Sequence, residues 1–215
     1  MVYKPSLDFS VFQDSEIPDG ISKWLDSGEQ SRVTVLIKDF AKGISGRNRR
    51  ERLYKSMDYI WQNFSYDILL NPLAFTKTAD ELFRSRKLGG CSDFALVQIT
   101  LFRALGIPSR MVITANVDWM INSRFNELAM SEGHSFIEVY LEDDWYLLDT
   151  TYRWLLSGYN LKNKSYPHGE YFCKRGVDFW DMGIRSISDC EKLLKDLAGD
   201  YNDNYKIPRY EKSPI

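Results

Sequence analysis

Gly89-Gly90-Cys91-Ser92-Asp93-Phe94-Ala95-Leu96-Val97-Gln98-Ile99-Thr100-Leu101-Phe102-Arg103-Ala104-Leu105-Gly106-Ile107-Pro108 is the stretch that decides the fold. From Ser92 to Leu105 apolar residues fall nearly all round the helical wheel, which predicts a helix buried at the centre of a domain. Gly106 takes the C-cap position and Pro108 forbids continuation, so the chain must turn there. At the other end, Cys91 follows two glycines and opens the helix. Free backbone N–H groups and the positive end of the helix dipole favour an anion at that place, so a thiolate at Cys91 would be stabilised. A small residue packed where little room exists is the alternative reading of the same cysteine.

Upstream, Leu53, Met57, Ile60, Trp61 and Phe64 recur at helical spacing and predict a helix over 48–64. Arg47, Arg49, Arg50, Arg52 and Lys55 then read as its solvated face. Thr78, with Glu81 three residues on, is a capping box for a shorter helix to Arg86, which Gly89 and Gly90 are expected to stop. The segment to about Ser31 is polar, with a short helix around Ile21 to Leu25, and is expected to wrap the outside.

Downstream, an extended segment from Arg110 to Ala115 precedes residues 117–132, which lack a period and read as a long loop. His134 to Leu141 alternates, and Trp145 to Thr150 is aromatic and aliphatic, with only Glu142, Asp143 and Asp144 between them. An antiparallel hairpin follows. A turn at Glu142 and Asp143, read as solvated, pairs Leu141 with Asp144 and sets Phe136 opposite Asp149. His134 then lies on the same face as Asp149 and diagonal to it, close enough for a carboxylate to meet an imidazole nitrogen. An odd-length turn would put them on opposite faces. A satisfied sheet histidine and a strand-end cap are the alternative readings of the two. From Tyr152 the tail reads as irregular until Ser188 and Glu191 open a helix carrying Leu193, Leu194 and Leu197, with Gly199 at its end. His168 sits in a turn-like surface setting, and Cys173 and Cys190 read as structural.

With 215 residues, 44% apolar and 27% charged, the chain suits one well-packed domain. A net charge of −2 gives no reason to expect nucleic acid or an anionic membrane as partner. Three cysteines cannot all pair within one chain, so reduced thiols are expected. Two histidines and no Cys-x-x-Cys spacing argue against a metal, and no cofactor is called for. Residues 1–20 contain no signal-peptide core and no later stretch approaches a membrane span, so a cytoplasmic protein is expected.

Four blocks carry a family resemblance: Gly89 to Ala95; Leu101-Phe102-Arg103-Ala104-Leu105-Gly106-Ile107-Pro108-Ser109-Arg110; Gly133-His134-Ser135-Phe136-Ile137-Glu138-Val139-Tyr140; and Trp145 through Asp149-Thr150-Thr151. In this order the chain resembles the transglutaminase-like superfamily from about Leu53 to Thr151. The resemblance implies a papain-like α+β fold in which a central helix carrying the cysteine packs on an antiparallel sheet carrying the histidine and aspartate. It implies Cys91 as nucleophile, His134 as base and acid, and Asp149 as the residue orienting the imidazole. Family members commonly have Ala and Trp where this chain has Ser135 and Phe136, and Asp-Pro-Thr where it has Asp149-Thr150-Thr151.

These residues suit acyl transfer through a thioester, with a protein or peptide amide as substrate. A protease or amidase is the first expectation; a crosslinking transglutaminase or a non-catalytic binding module are the alternatives. The Cys91 N–H is the natural first oxyanion donor, with Trp61 or Gln62 as the candidate second. The expected organisation is a wrapping segment over 1–46, a catalytic core over 47–152 and an extension over 153–215 packed on the same domain. Nothing in the sequence specifies an oligomeric state.

Overall fold

In the computed structural model, which describes residues 8–123, 131–157 and 164–204, the first half of the chain is helical. It runs through α1 (Asp19–Ser22), α2 (Val35–Lys42), α3 (Arg49–Asn63), β1 (Ser65–Tyr66), α4 (Ala79–Ser85), β2 (Lys87–Leu88) and α5 (Cys91–Ala104). The second half builds the sheet with β3 (Ser109–Asn116), α6 (Val117–Asn122), β4 (Gly133–Leu141), β5 (Asp144–Asp149), β6 (Trp154–Leu156), β7 (Ser165–Tyr166) and β8 (Glu170–Gly176), and closes with α7 (Ile187–Asn204).

Helix α5 is buried along almost its whole length, from Ser92 to Arg103. Its apolar circumference is matched by neighbours on all sides: α2, α3 and α4 on one flank, β3 and β4 on the other. Gly106 takes the left-handed conformation that the end of the helix requires, with φ +73°. The sheet order is β6-β5-β4-β3-β8-β7, every pairing antiparallel. Ile137, Val139, Leu141, Met111, Ile113 and Leu148 face the main core, while Val112, Phe136, Leu147 and Tyr166 make a smaller apolar cluster on the other face.

The hairpin register matches the expectation: Leu141 pairs with Asp144 and Ile137 with Leu148. Glu142 and Asp143 both have positive φ, 43° and 65°, the backbone of a two-residue turn whose twist suits a hairpin. Neither is a glycine, so the turn needs support. Arg50 provides it, holding both carboxylate oxygens of Glu142 at 3.1 Å from its Nε.

That contact corrects part of two readings: Arg47, Lys55, Asp143 and Asp144 are exposed as expected of a solvated helix face and turn, whereas Arg49, Arg50 and Glu142 are not. Arg49 and Arg50 are only 4% and 8% exposed. Arg50 lies between the rings of Phe12 and Tyr146, 4.5 and 4.6 Å from their centroids, and Arg49 pairs with Asp14 at 3.3 Å. The N-terminal segment and the hairpin cover these cations, which a helical wheel cannot foresee.

Other differences have local causes. α2, which no periodicity argument singled out, is capped by Thr34 and buries Ile37 and Ala41. α4 has its capping box but ends at Arg86, at φ 54°, before the two glycines. α6 occupies the start of the expected loop because Asn116 caps it and Trp119 and Met120 are buried; residues 124–130 lie outside the described residues. The tail is not irregular: it supplies β6, β7 and β8, and β8 pairs directly with β3. α7 begins two residues early, with Ser186 and Asp189 as its reciprocal cap, and runs through Gly199, carried by buried Leu194 and Ala198. Among the described residues no helix is long and apolar enough to cross a membrane.

Candidate active site

Cys91 is the first residue of α5, with Gly90 as N-cap and no side chain capping the helix. The first-turn N–H groups have no intrahelical carbonyl to bond. Asp93 instead reaches back to the N–H of Gly89 at 2.8 Å, fixing the turn just before the cysteine. The glycines make room here. A Cβ on Gly89 would lie 2.7 Å from the carbonyl carbon of Leu70, and one on Gly90 2.9 Å from Oδ1 of Asn71. A 3-10 turn over Ile68–Leu73 therefore presses against the residues leading into Cys91.

His134 enters at the start of β4 and Asp149 at the end of β5. The hairpin register sets them diagonally, and His134 Nε2 lies 2.9 Å from Asp149 Oδ2. The second oxygen of Asp149 accepts the backbone N–H groups of Thr151 at 2.9 Å and Tyr152 at 3.0 Å. Asp149 thus both caps the strand end and binds the imidazole, so its two sequence readings hold together. The imidazole packs edge-on against Phe136, centroids 4.7 Å apart.

Burial pushes the Cys91 thiol up, but hydrogen bonding and charge from His134, with hydrogen bonds from the backbone and hydroxyl of Ser135, outweigh it and hold the thiol below its ordinary value. Burial opposes charge on His134 too, yet its bonds to Asp149 and Cys91 raise it to about 10. The Asp149 carboxyl, despite burial, is held low by His134 and by the two N–H groups. By contrast burial pushes Cys173 up to about 11 and Cys190 up to about 12. A thiol held low beside an imidazole held high is the arrangement that favours a thiolate–imidazolium pair.

A cavity of about 180 Å³ opens at Cys91, lined among others by Asn71, Phe75, His134, Ser135, Cys190 and Leu194. A second recess, on the strand-end side of His134, is bordered by Asn116, Tyr152, His168 and Glu170. His168 is exposed, as read, and its ring lies tilted against that of Trp154, centroids 4.6 Å apart. Trp61 and Gln62 line neither recess. The indole N–H of Trp61 donates to the Thr150 carbonyl at 3.3 Å and its ring stacks on Phe94; Gln62 is exposed. Sequence reasoning missed Asn71 because nothing in the chain ties it to a cysteine twenty residues later. Among the described residues no group of three or more His, Cys, Asp or Glu side chains is placed to hold a metal ion.

A central helix that begins at a cysteine and packs on an antiparallel sheet bearing a histidine–carboxylate pair defines a papain-like α+β fold. The sequence model of the transglutaminase-like superfamily matches residues 38–150, and the chain belongs to that superfamily. The structure of a candidate cysteine protease from Cytophaga hutchinsonii superposes with a TM-score of 0.57 at 20% identity, covering 79% of this chain and 51% of that one. The chain thus spans about half the length of that relative, and the likeness is one of fold. A candidate protease from Parabacteroides distasonis matches with a TM-score of 0.40 at 15% identity, over 64% of this chain and 29% of that one. No curated protein sequence matches the chain.

Proposed function

We propose that this chain is a cysteine-dependent acyl-transfer enzyme that hydrolyses amide bonds of proteins or peptides, with Cys91 as nucleophile, His134 as base and acid, and Asp149 orienting the imidazole. The observation that supports this most strongly is the 2.9 Å bond between His134 Nε2 and Asp149 Oδ2. It commits Nε2 to the carboxylate and leaves Nδ1 for the sulfur, the tautomer an attacking thiol needs. The Cys91 thiolate adds to the carbonyl carbon. The imidazolium then protonates the departing amine, the C–N bond breaks and a thioester remains. Water, deprotonated by the now neutral His134, adds to the thioester and releases the acid and the thiol. The name of the Cytophaga hutchinsonii relative agrees with this reaction class.

Intact-mass analysis after incubation with a peptidyl vinyl sulfone tests the assignment. A single adduct on Cys91, absent in Cys91→Ala, is the expected result; equal labelling of Cys91, Cys173 and Cys190 rejects it. Casein incubated with a labelled primary amine distinguishes the acceptor. Cleavage without incorporation is expected, and incorporation without cleavage would make the enzyme a transglutaminase.

A further inference from the structure

We infer that Asn71 is the second oxyanion donor, its side-chain amide acting with the N–H of Cys91. The inference rests on Cys91 being the nucleophile, as proposed above, and adds a catalytic residue to it. When the thiolate adds to a carbonyl, the C=O π pair moves onto oxygen, and that oxygen needs donors already in place. The start of α5 provides one. Trp61 is occupied by the Thr150 carbonyl, and Gln62 does not line the cavity.

Asn71 does line it, together with Cys91 and His134. Its amide oxygen Oδ1 lies 2.9 Å from where a Cβ on Gly90, the residue bonded to the Cys91 nitrogen, would sit, and the donor end, Nδ2, lies farther from that place than Oδ1. The backbone carrying it is tied to the residues that precede the cysteine. Ser65 N–H donates to Arg86 O and Asp67 N–H to Leu88 O, each at 2.9 Å, and β1 and β2 run parallel there. The turn itself is closed by Asp67, whose side chain accepts from Leu69 N–H at 3.1 Å and whose carbonyl accepts from Leu70 N–H at 3.0 Å. Pro72 follows directly, and the Asn71 carbonyl accepts from Ala74 N–H at 2.9 Å. The backbone of Asn71 is thus fixed, while its side-chain amide makes no hydrogen bond within the described residues and keeps its donor free. Two adjacent glycines beside a nucleophile are explained by the close approach of this segment.

The test compares two reactions at the same sulfur. With p-nitrophenyl acetate, the Cys91 sulfur adds to the acetyl carbon through an oxyanion, the C–O bond breaks and p-nitrophenolate leaves, giving S-acetyl-Cys91. With iodoacetamide, the sulfur displaces iodide at a saturated carbon and no oxyanion forms. For Asn71→Ala we expect the acylation rate constant to fall about 100-fold, and for Asn71→Asp at least as far, because a carboxylate repels the developing charge. Alkylation by iodoacetamide should stay within about two-fold, since thiolate formation does not depend on Asn71. Acylation within about three-fold of the parent in both variants overturns the inference and leaves Cys91 as nucleophile. A parallel fall in alkylation also overturns it, making Asn71 a support of the thiolate or the fold. No S-acetylation of Cys91 in the parent protein would remove the functional reading and the inference together.

Discussion

The two ends of α5 are made differently. At the C-terminal end Arg103, 5% exposed, donates to the carbonyls of Trp24, Ser109 and Val177 and to the hydroxyl of Ser31, at 2.7 to 3.3 Å. Ser31 in turn binds Asp178 through both its N–H and its hydroxyl. One side chain thus ties the N-terminal segment, the helix end and the exit from β8 into a single knot. At the N-terminal end no side chain caps the helix. The first end spends its hydrogen-bonding capacity on staying folded; the second leaves its first turn without a side-chain cap, a setting that favours negative charge.

The sharpest way to break this contrast is to alter one residue at each end. Cys91→Ala should lower acyl transfer at least 10,000-fold while moving unfolding stability by no more than about 1 kcal/mol, read by turnover and by urea titration. Arg103→Met should do the opposite. It strands several buried acceptors and should cost roughly 3 kcal/mol, with acylation of the folded fraction unchanged. If the two variants lose stability equally, the ends are not distinct in the way described.

Titration sharpens the contrast further. Near pH 6 iodoacetamide should alkylate Cys91 well ahead of Cys173 and Cys190, because the former is held low by His134 and Ser135 and the latter two are pushed up by burial. Peptide mapping of the native protein reads the order directly, and His134→Ala should erase it. The same groups set the pH range of their stabilising contribution. His134 titrates higher folded than unfolded, so its contribution is complete below about pH 6.5 and is lost as pH rises through about 10. Asp149 behaves in reverse, contributing above its ordinary value near pH 3.9 and losing that contribution as pH falls through its lowered value.

The smallest effect concerns Ser135. Its side chain lies on the core face of β4 and lines the cavity at Cys91, and its hydroxyl is a lesser cause of the lowered thiol. Ser135→Ala should raise the Cys91 pKa and slow alkylation at pH 6 by about ten-fold at most, the upper end of what one ordinary hydrogen bond is worth. An unchanged rate would assign the lowered thiol to His134 alone.

Much of this was legible in the sequence because the signals are local. Thr78 and Glu81 specify a capping box within four residues, and the apolar circumference of 92–105 can only be a buried helix. The length of the turn at Glu142 and Asp143 sets register by parity, and register alone delivers His134 to Asp149. What escaped depends on distant partners. Arg49 and Arg50 look solvated on a helical wheel because Phe12, Asp14 and Glu142, which cover them, come from far along the chain. β8 is mixed in composition, Glu170-Tyr171-Phe172-Cys173-Lys174-Arg175-Gly176, with charged Glu170 and Arg175 satisfied by Thr114 and Glu138 rather than by solvent. Gly89 and Gly90 read as punctuation, whereas their role is to admit another segment.

The position of β8 has a consequence for the order in which the molecule can be completed. Cys91, His134 and Asp149 all precede residue 150 in the chain, and β3, β4 and β5 can pair once they have emerged from the ribosome. β3, eight residues long, keeps one edge open until Glu170–Gly176 arrives to cover it. A nascent or truncated chain ending near 152 would hold His134 and Asp149 on a sheet with a bare edge, the surface on which strands of separate molecules join. The last strand added to the sheet therefore acts as a seal on β3, the neighbour of the strand that carries His134.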